Sequence, residues 1–187
     1  MNRNPAIAAA FTGLAILAVI FAIIYAPGAD DHRDAINDTV DAFHQAAADA
    51  ELDAYFDLMS DHSRFLGTDA SERWPKPEFL AYCRERGAFD EAPAWVYTPS
   101  ERHISLSDDN DVAWFDEILT HDRYGTLRGS GVLVNQHGWK IAQYNLTFLV
   151  PNDAAPAVVE AIKAHNEAAD SASLSPSGEE STGEGGD

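Results

Sequence analysis

A single cysteine, Cys83, in 187 residues excludes an internal disulfide. It sits in PEFLAYCRER, a helix-like stretch where a small core thiol is its simplest role. No histidine is near it in sequence, and no nucleophilic triad is visible. Basic residues are also scarce: 12 Lys and Arg stand against 31 Asp and Glu, a formal net charge of −19. Too little basic surface remains to replace nucleic-acid counterions, so nucleic acid is not an expected partner. Adhesion to anionic lipid headgroups is disfavoured for the same reason. The seven histidines, at 32, 44, 62, 103, 121, 137 and 165, show no i, i+4 pair and no HExxH spacing. Neither a metal site nor another cofactor is expected from them.

The chain is 45% hydrophobic and 10% aromatic, enough for a core. Its length suits one domain of about 130 residues with appendages. Ala6 to Ala26, AIAAAFTGLAILAVIFAIIYA, is an uncharged run long enough, at about 20 residues, to span a bilayer. A signal peptide has a shorter apolar region, about 7–15 residues. Ala26 is followed by Pro27, a poor cleavage site, and no cysteine forms a lipobox. The expectation is a single-pass anchor over residues 6–26, with residues 1–5 cytoplasmic. Arg3 before the run and Asp30-Asp31 after it put the domain outside, in the periplasm if the source is bacterial. Secretion after cleavage is the alternative.

Residues 27–30 read as a linker, 31–152 as the folded domain, 153–168 as a short C-terminal helix and 169–187 as an acidic tail. The tail has almost no apolar content from Ser171 onward and is expected to be disordered. Within the domain, Ile36, Val40, Phe43 and Ala47 fall at helical spacing. A second helix is expected over Leu52 to Met59, then a short strand over Ser63 to Thr68. Pro77 and Glu78 mark the start of a third helix that runs to Arg86. Trp95 to Tyr97 and Arg102 to Leu106 read as one strand broken by Pro99. Asp69 to Trp74 is a loop at the expected pocket mouth, either a lid contact or an Asx-type turn with Trp74 on the core.

Asp111 to Pro151, DVAWFDEILTHDRYGTLRGSGVLVNQHGWKIAQYNLTFLVP, reads as three consecutive strands. Asn135-Gln136-His137-Gly138 is a polar hairpin loop. Pairing Val134 with Trp139 predicts Val132 opposite Ile141, Ser130 opposite Gln143, Arg128 opposite Asn145 and Thr126 opposite Thr147. Strand side chains alternate, so all of these share one face. That face is apolar near the loop and polar farther out, as in a pocket wall. The alternative is solvent, against which Trp139 and its Val and Ile neighbours argue. The other face carries Leu133, Tyr144, Leu146 and Phe148. Three helices cannot cover both faces, so this one is expected to be exposed and to pair two copies.

In the preceding strand, Asp116 and Glu117 put one acid on each apolar face, which is costly unless paired. Arg128 is the expected partner of one of them; the turn THDRYG decides which. Asp116 and Arg128 are therefore the candidate catalytic pair. The candidate ligand-binding set is Trp114, Asp116, Arg128, Ser130, Gln143, Asn145 and Tyr97. Plain interstrand pairing and core packing are the structural alternatives for these residues. His44, next to Phe43 on the first helix, faces either the pocket or solvent.

The order of elements, with AELDAYFDLMSDHSRFLGTDASERW, DVAWFDE, RGSGVLV and GWKIAQYNLTF, resembles the SnoaL-like branch of the nuclear transport factor 2-like superfamily over Asp31 to Asn152. The resemblance implies an α+β fold: helices packed on a curved antiparallel sheet that forms a cone. It also implies a pocket between helices and sheet, and dimers through the sheet. Members include ketosteroid isomerases, polyketide cyclases, dehydratases and non-catalytic binding and assembly domains, so fold leaves function open. Matching to the isomerase pattern puts Phe43 at the hydroxyl donor and Leu66 at the carboxylate base. Enolisation would then lack both proton transfer and oxyanion stabilisation. The expectation is a membrane-anchored, dimer-forming domain that binds a small molecule. The alternatives are a cyclase, dehydratase or hydrolase using Asp116 and Arg128, or an interaction and assembly module.

Overall fold

A computed structural model describes residues 28–173. They belong to two units, one ending at Phe148 and one beginning at Leu149. The expected anchor, 6–26, lies outside the described residues, as does residue 174 onward. Among the described residues, no helix is long and apolar enough to cross a membrane.

Helix α1 spans Ala29–Ala48, with Asp30 and Asp31 in its first turn, where the helix dipole favours negative charge. The Asp31 carboxylate accepts the Gly28 N–H at 2.9 Å. Its buried stripe is Ile36, Val40, Phe43 and Ala47, as the spacing predicts. Ala50, at φ 59, turns the chain into α2, Leu52–Asp57, which buries Tyr55 and Phe56. The expected run to Met59 is two residues too long, because Met59 already opens strand β1, Met59–Leu66. A three-residue strand, β2 (Arg73–Pro75), pairs back onto β1. Helix α3, Lys76–Glu85, starts at Pro75 and Pro77 and buries Phe79 and Cys83 one turn apart.

Strands β3 (Thr98–Leu106), β4 (Val112–His121), β5 (Gly125–Asn135) and β6 (Trp139–Phe148) form the expected antiparallel meander. Trp95 to Tyr97 precede β3 rather than belonging to it. β6 then lies parallel to β1, giving a six-stranded mixed sheet of order β2-β1-β6-β5-β4-β3. Its inner face packs Phe115, Leu119, Leu127, Leu133 and Ile141 into one core with the helical Ile36, Val40 and Phe43.

Register shifts occur in three pairings of this sheet, β1–β6, β3–β4 and β5–β6, and the last two bear on the site. In β5–β6 the pairs are Asn135–Trp139 and Leu133–Ile141, then, past a shift, Val132–Gln143, Ser130–Asn145 and Arg128–Thr147. The predicted register was thus one residue off near the loop and two residues off farther out. The extra residue, Ala142, is why: it re-phases β6 so that Trp139, Ile141, Tyr144 and Leu146 all point inward. Leu133, Tyr144 and Leu146, expected on an exposed dimer face, are therefore core, none more than 8% exposed. In β3, Ser100 pairs with Ile118 but His103 with Asp116, so β3 also holds an extra residue. Glu101, at φ 50, lies in that bulge. Arg102 alternates with Ile104 and Leu106, which lie opposite the inward Phe115 and Ala113, and so it too is on the inner side; the bulge changes the phase only toward Pro99.

In the second unit, helix α4 runs over Ala155–Ser173. It is longer than the expected 153–168, and its helical pattern takes in the first residues of the expected tail. Val158, Val159 and Ile162 are exposed on it.

Candidate functional site

Between the helices and the inner sheet face lies a cavity of about 470 Å3. Phe43, His44, Tyr55 and Phe79 line its helical side, and Leu127, Tyr144 and Leu146 its sheet side. Glu72 and Trp74 come from the β1–β2 connection, Trp95 and Tyr97 from the segment before β3, and His121, Arg123 and Tyr124 from the β4–β5 turn. Stacking fixes much of this wall: Phe65 on Phe79 and Phe43 on Tyr55 both have ring centroids 4.1 Å apart.

Beside the cavity Glu117 is fully buried. A carboxylate there must be paired. Arg102 Nε donates to its Oε2 at 2.8 Å, and Arg102 Nη2 lies 2.8 Å from the same oxygen. His44 Nε2 lies 2.6 Å from Oε1. Arg102 continues outward to Asp41 Oδ1 at 2.8 Å and the Asn37 side-chain oxygen at 3.1 Å. Glu117 thus joins a cation on one side to an imidazole on the other. The His44 bond is best made with the proton on Nε2, which leaves Nδ1 without a partner among the described residues. Gly129 makes room for this arrangement. A Cβ there would sit 2.6 Å from the Tyr144 hydroxyl and 3.0 Å from Glu117 Oε1.

Of the five tyrosines that line the cavity, Tyr55, Tyr97 and Tyr144 are held as neutral phenols. Burial holds the Tyr144 hydroxyl well above its usual pKa, and the neighbouring Glu117 carboxylate adds to the effect. Burial does the same to Tyr55, reinforced by Tyr144. Tyr97 is pushed up to about 12, mainly by burial and then by Tyr124 and Glu72. The hydroxyls of Tyr55 and Tyr144 have no hydrogen-bond partner among the described residues. Near the turn, His121 Nδ1 accepts the backbone N–H groups of Arg123 at 3.1 Å and Tyr124 at 3.3 Å, so Nε2 carries the ring proton. The His121 ring stacks on Tyr124 at 4.7 Å, and the Arg123 guanidinium sits 5.4 Å from the centre of the Tyr124 ring.

Of the residues expected to form the site, Tyr97 lines the cavity. Arg128, Ser130, Gln143 and Asn145 share one face, as expected, and Trp114 and Asp116 share it too, but it is the outer one. Trp114 there is 50% exposed. Asp116 and Arg128 form no ion pair among the described residues. The acid that turns inward is Glu117, and its partner is Arg102 rather than Arg128. The cause is strand alternation, in β4 and in the Arg102–Leu106 part of β3. The Asp69–Trp74 loop satisfies both of its readings. Asp69 Oδ1 accepts the Ser71 N–H at 2.8 Å in an Asx turn, while Glu72 and Trp74 line the cavity. Phe43 lines it too, and Tyr55 and Tyr144 carry the hydroxyls that Phe43 lacks. Among the described residues, no group of three His, Cys, Asp or Glu side chains is placed to hold a metal ion.

Helices on one side of an open mixed sheet, with a cavity between, define a nuclear transport factor 2-like (NTF2-like) α+β cone. Solved structures share this fold. An NTF2-like protein from Cytophaga hutchinsonii ATCC 33406 matches with TM-score 0.51 and 19% identity, over 63% of this chain and 98% of its own. A candidate dehydratase of the NTF2-like family from Streptomyces avermitilis matches with TM-score 0.53 and 11% identity, over 63% and 96%. A candidate aromatic ring hydroxylase from Novosphingobium aromaticivorans DSM matches with TM-score 0.51 and 17% identity, over 67% and 94%. At such identities the likeness is one of fold. The SnoaL-like domain family model matches residues 36–151, more than half of the sequence, and the chain belongs to that family. No curated protein matches it in sequence.

Proposed function

We propose that the domain binds a small, flat, largely apolar molecule bearing hydrogen-bond acceptors. The observation that carries this reading is the pair of hydroxyls, Tyr55 and Tyr144, which have no hydrogen-bond partner among the described residues and stand in an aromatic-walled cavity of about 470 Å3. That volume is within the usual range of ligand pockets. Unpaired hydroxyls in an apolar enclosure gain when a ligand acceptor reaches them. A thermal-shift panel of one- to three-ring aromatic ketones and phenols tests it, since a ligand that binds only the folded state raises Tm. The strongest ketone should bind Tyr144→Phe about tenfold more weakly, the cost of one hydrogen bond. A crystal structure with the cavity filled by its own side chains would overturn the reading.

A second reading, proton-transfer catalysis, is favoured by His44. A carboxylate that holds one imidazole nitrogen while the other faces a cavity is the arrangement of an oriented general base. Tyr144, kept neutral beside it, supplies a hydrogen-bond donor for developing negative charge. In this reading His44 and Glu117 take the roles expected of Asp116 and Arg128. Panel hits incubated with enzyme and followed by mass spectrometry test it. His44→Gln should abolish any conversion while retaining binding, and conversion that survives this change would exclude it.

The same proposal keeps the domain tethered outside the membrane by residues 6–26, on the strength of their uncharged sequence. Fractionation of the full chain should find it in membranes, accessible to protease from outside. Pairing of two copies also stays in the proposal, but through the outer face, where Trp114 and Val112 are exposed.

A further inference from the structure

We infer that the ligand is an aromatic acid whose carboxylate is held at the β4–β5 turn by Arg123 and the Nε2–H of His121. The inference rests on the cavity reading above and specifies its ligand. Among the described residues, Arg123 is the one arginine whose side chain lines the cavity. It forms no ion pair among the described residues. Its guanidinium is positioned over the Tyr124 ring, which itself packs against His121 and Phe148. A planar guanidinium held in this way suits bidentate recognition of a carboxylate.

His121 adds a second donor. Both backbone amides of the turn point at its Nδ1, which fixes the proton on Nε2. The ring is braced between Tyr124 and Tyr97, at centroid distances of 4.7 and 5.1 Å. The acid that lines the cavity, Glu72, is engaged by its own loop: its Oε2 accepts the Asp69 N–H at 3.2 Å. The aromatic wall behind, with Trp74, Phe79 and Trp95, suits the ring system of the same ligand.

The test is calorimetric titration of the whole domain with benzoate, naphthoate and anthracene carboxylate, each against its neutral primary amide. In the best-fitting pair the acid should bind at least about tenfold more tightly than the amide, the effect of a charge-assisted hydrogen bond. Arg123→Gln should bring the two within about twofold, chiefly by weakening the acid, while Arg123→Lys restores part of the preference. The amide affinity checks that the exposed turn variant has kept its fold. Equal binding of acid and amide by the wild type would overturn the inference and leave the cavity reading standing. So would an Arg123→Gln loss shared equally by both compounds. No binding by any member of either series would overturn both.

Discussion

The two faces of the central sheet carry similar inventories of side chains and do opposite things with them. β4 puts Ala113, Phe115, Glu117 and Leu119 inward, and Val112, Trp114, Asp116 and Ile118 outward. Each face has one acid, one aromatic ring and aliphatic neighbours. Inside, the acid has no water, so it takes an arginine from β3 and a histidine from α1. Outside, water solvates Asp116, and the polar neighbours Arg128, Ser130 and Gln143 need no fixed partners. A polar patch along a strand therefore does not locate a site. What locates it is a polar group that the fold has had to compensate for.

The largest effect should come from breaking that compensation. Glu117→Ala leaves the buried Arg102 with only the exposed Asp41 as an acidic partner, and His44 without its anchor. Removing one partner of a buried pair costs about 3–5 kcal/mol. Asp116→Ala, one residue away, should change stability by no more than about 0.5 kcal/mol. Urea unfolding of both variants measures the contrast. A double variant, Glu117→Leu with Arg102→Met, should be more stable than Glu117→Ala alone, because it removes the stranded charge. Equal destabilisation by Glu117→Ala and Asp116→Ala would erase the distinction between the faces.

The next effect concerns space rather than charge. Gly129→Ala introduces a Cβ against the Tyr144 hydroxyl and the Glu117 carboxylate. Overpacking of this kind costs about 1–3 kcal/mol. It should also weaken binding of any ligand that uses Tyr144. Ser130→Ala, next in sequence but on the outer face, should do neither. Parallel denaturation and titration of the two variants sharpen the comparison to adjacent residues.

These contrasts also show what the sequence could and could not reveal. The stripe Ile36, Val40, Phe43 and Ala47 was legible because a helix of regular period keeps its phase over the roughly three turns they span. The meander was legible from its turns and β-branched runs. The inward face was not, because a period of two transmits any single-residue error to every residue beyond it. The loop shifts the hairpin by one residue relative to the expected pairing, and Ala142 shifts it by another. The two shifts sum to two, so Arg128, Ser130, Gln143 and Asn145 stayed together, while Trp139 and Ile141 parted from them. Arg102 carried a signal too, since it alternates with the apolar Ile104 and Leu106 in its own strand. Glu117 carried another: an acid within an apolar strand demanded a partner. His44, whose side was left open, is one of its two partners.

Alkaline pH should separate the faces again, by a smaller margin. The core between the inner face and the helices holds Tyr144 from β6, Tyr55 from α2 and Cys83 from α3, all with raised pKa values. A raised pKa means that the neutral form is favoured on folding. The stability so gained is complete below the unfolded pKa and is lost as pH rises through the folded one. Cys83, pushed by burial from 9.0 to about 12, begins the loss above about pH 9. Tyr97, raised from 10.0 to about 12, and then Tyr144 follow it above about pH 10. The urea midpoint should therefore be insensitive to these groups at neutral pH and fall from pH 9 upward. Tyr144→Phe should flatten the upper part of that fall. A midpoint that falls with the same slope in wild type and Tyr144→Phe would remove this tyrosine from the account.

The smallest effect on folding should come from the outer face itself. Trp114 is half exposed beside Val112, and replacing it with glutamate removes little buried area. Trp114→Glu should shift stability by no more than about 0.5 kcal/mol and leave cavity ligands bound as before. Its consequence belongs to association. If two copies meet through this face, the added charge sits in an apolar contact with its own symmetry mate, since a two-fold interface brings the same patch together from both sides. Sedimentation of residues 28–173 should then show a dimer for the wild type and a monomer for Trp114→Glu. Phe148→Asp, at the cavity end of β6 on the inner side, should leave the dimer intact while weakening ligand binding. Dissociation by Phe148→Asp but not by Trp114→Glu would assign the contact to the inner face's edge, and a wild-type monomer at high micromolar concentration would reject the pairing altogether.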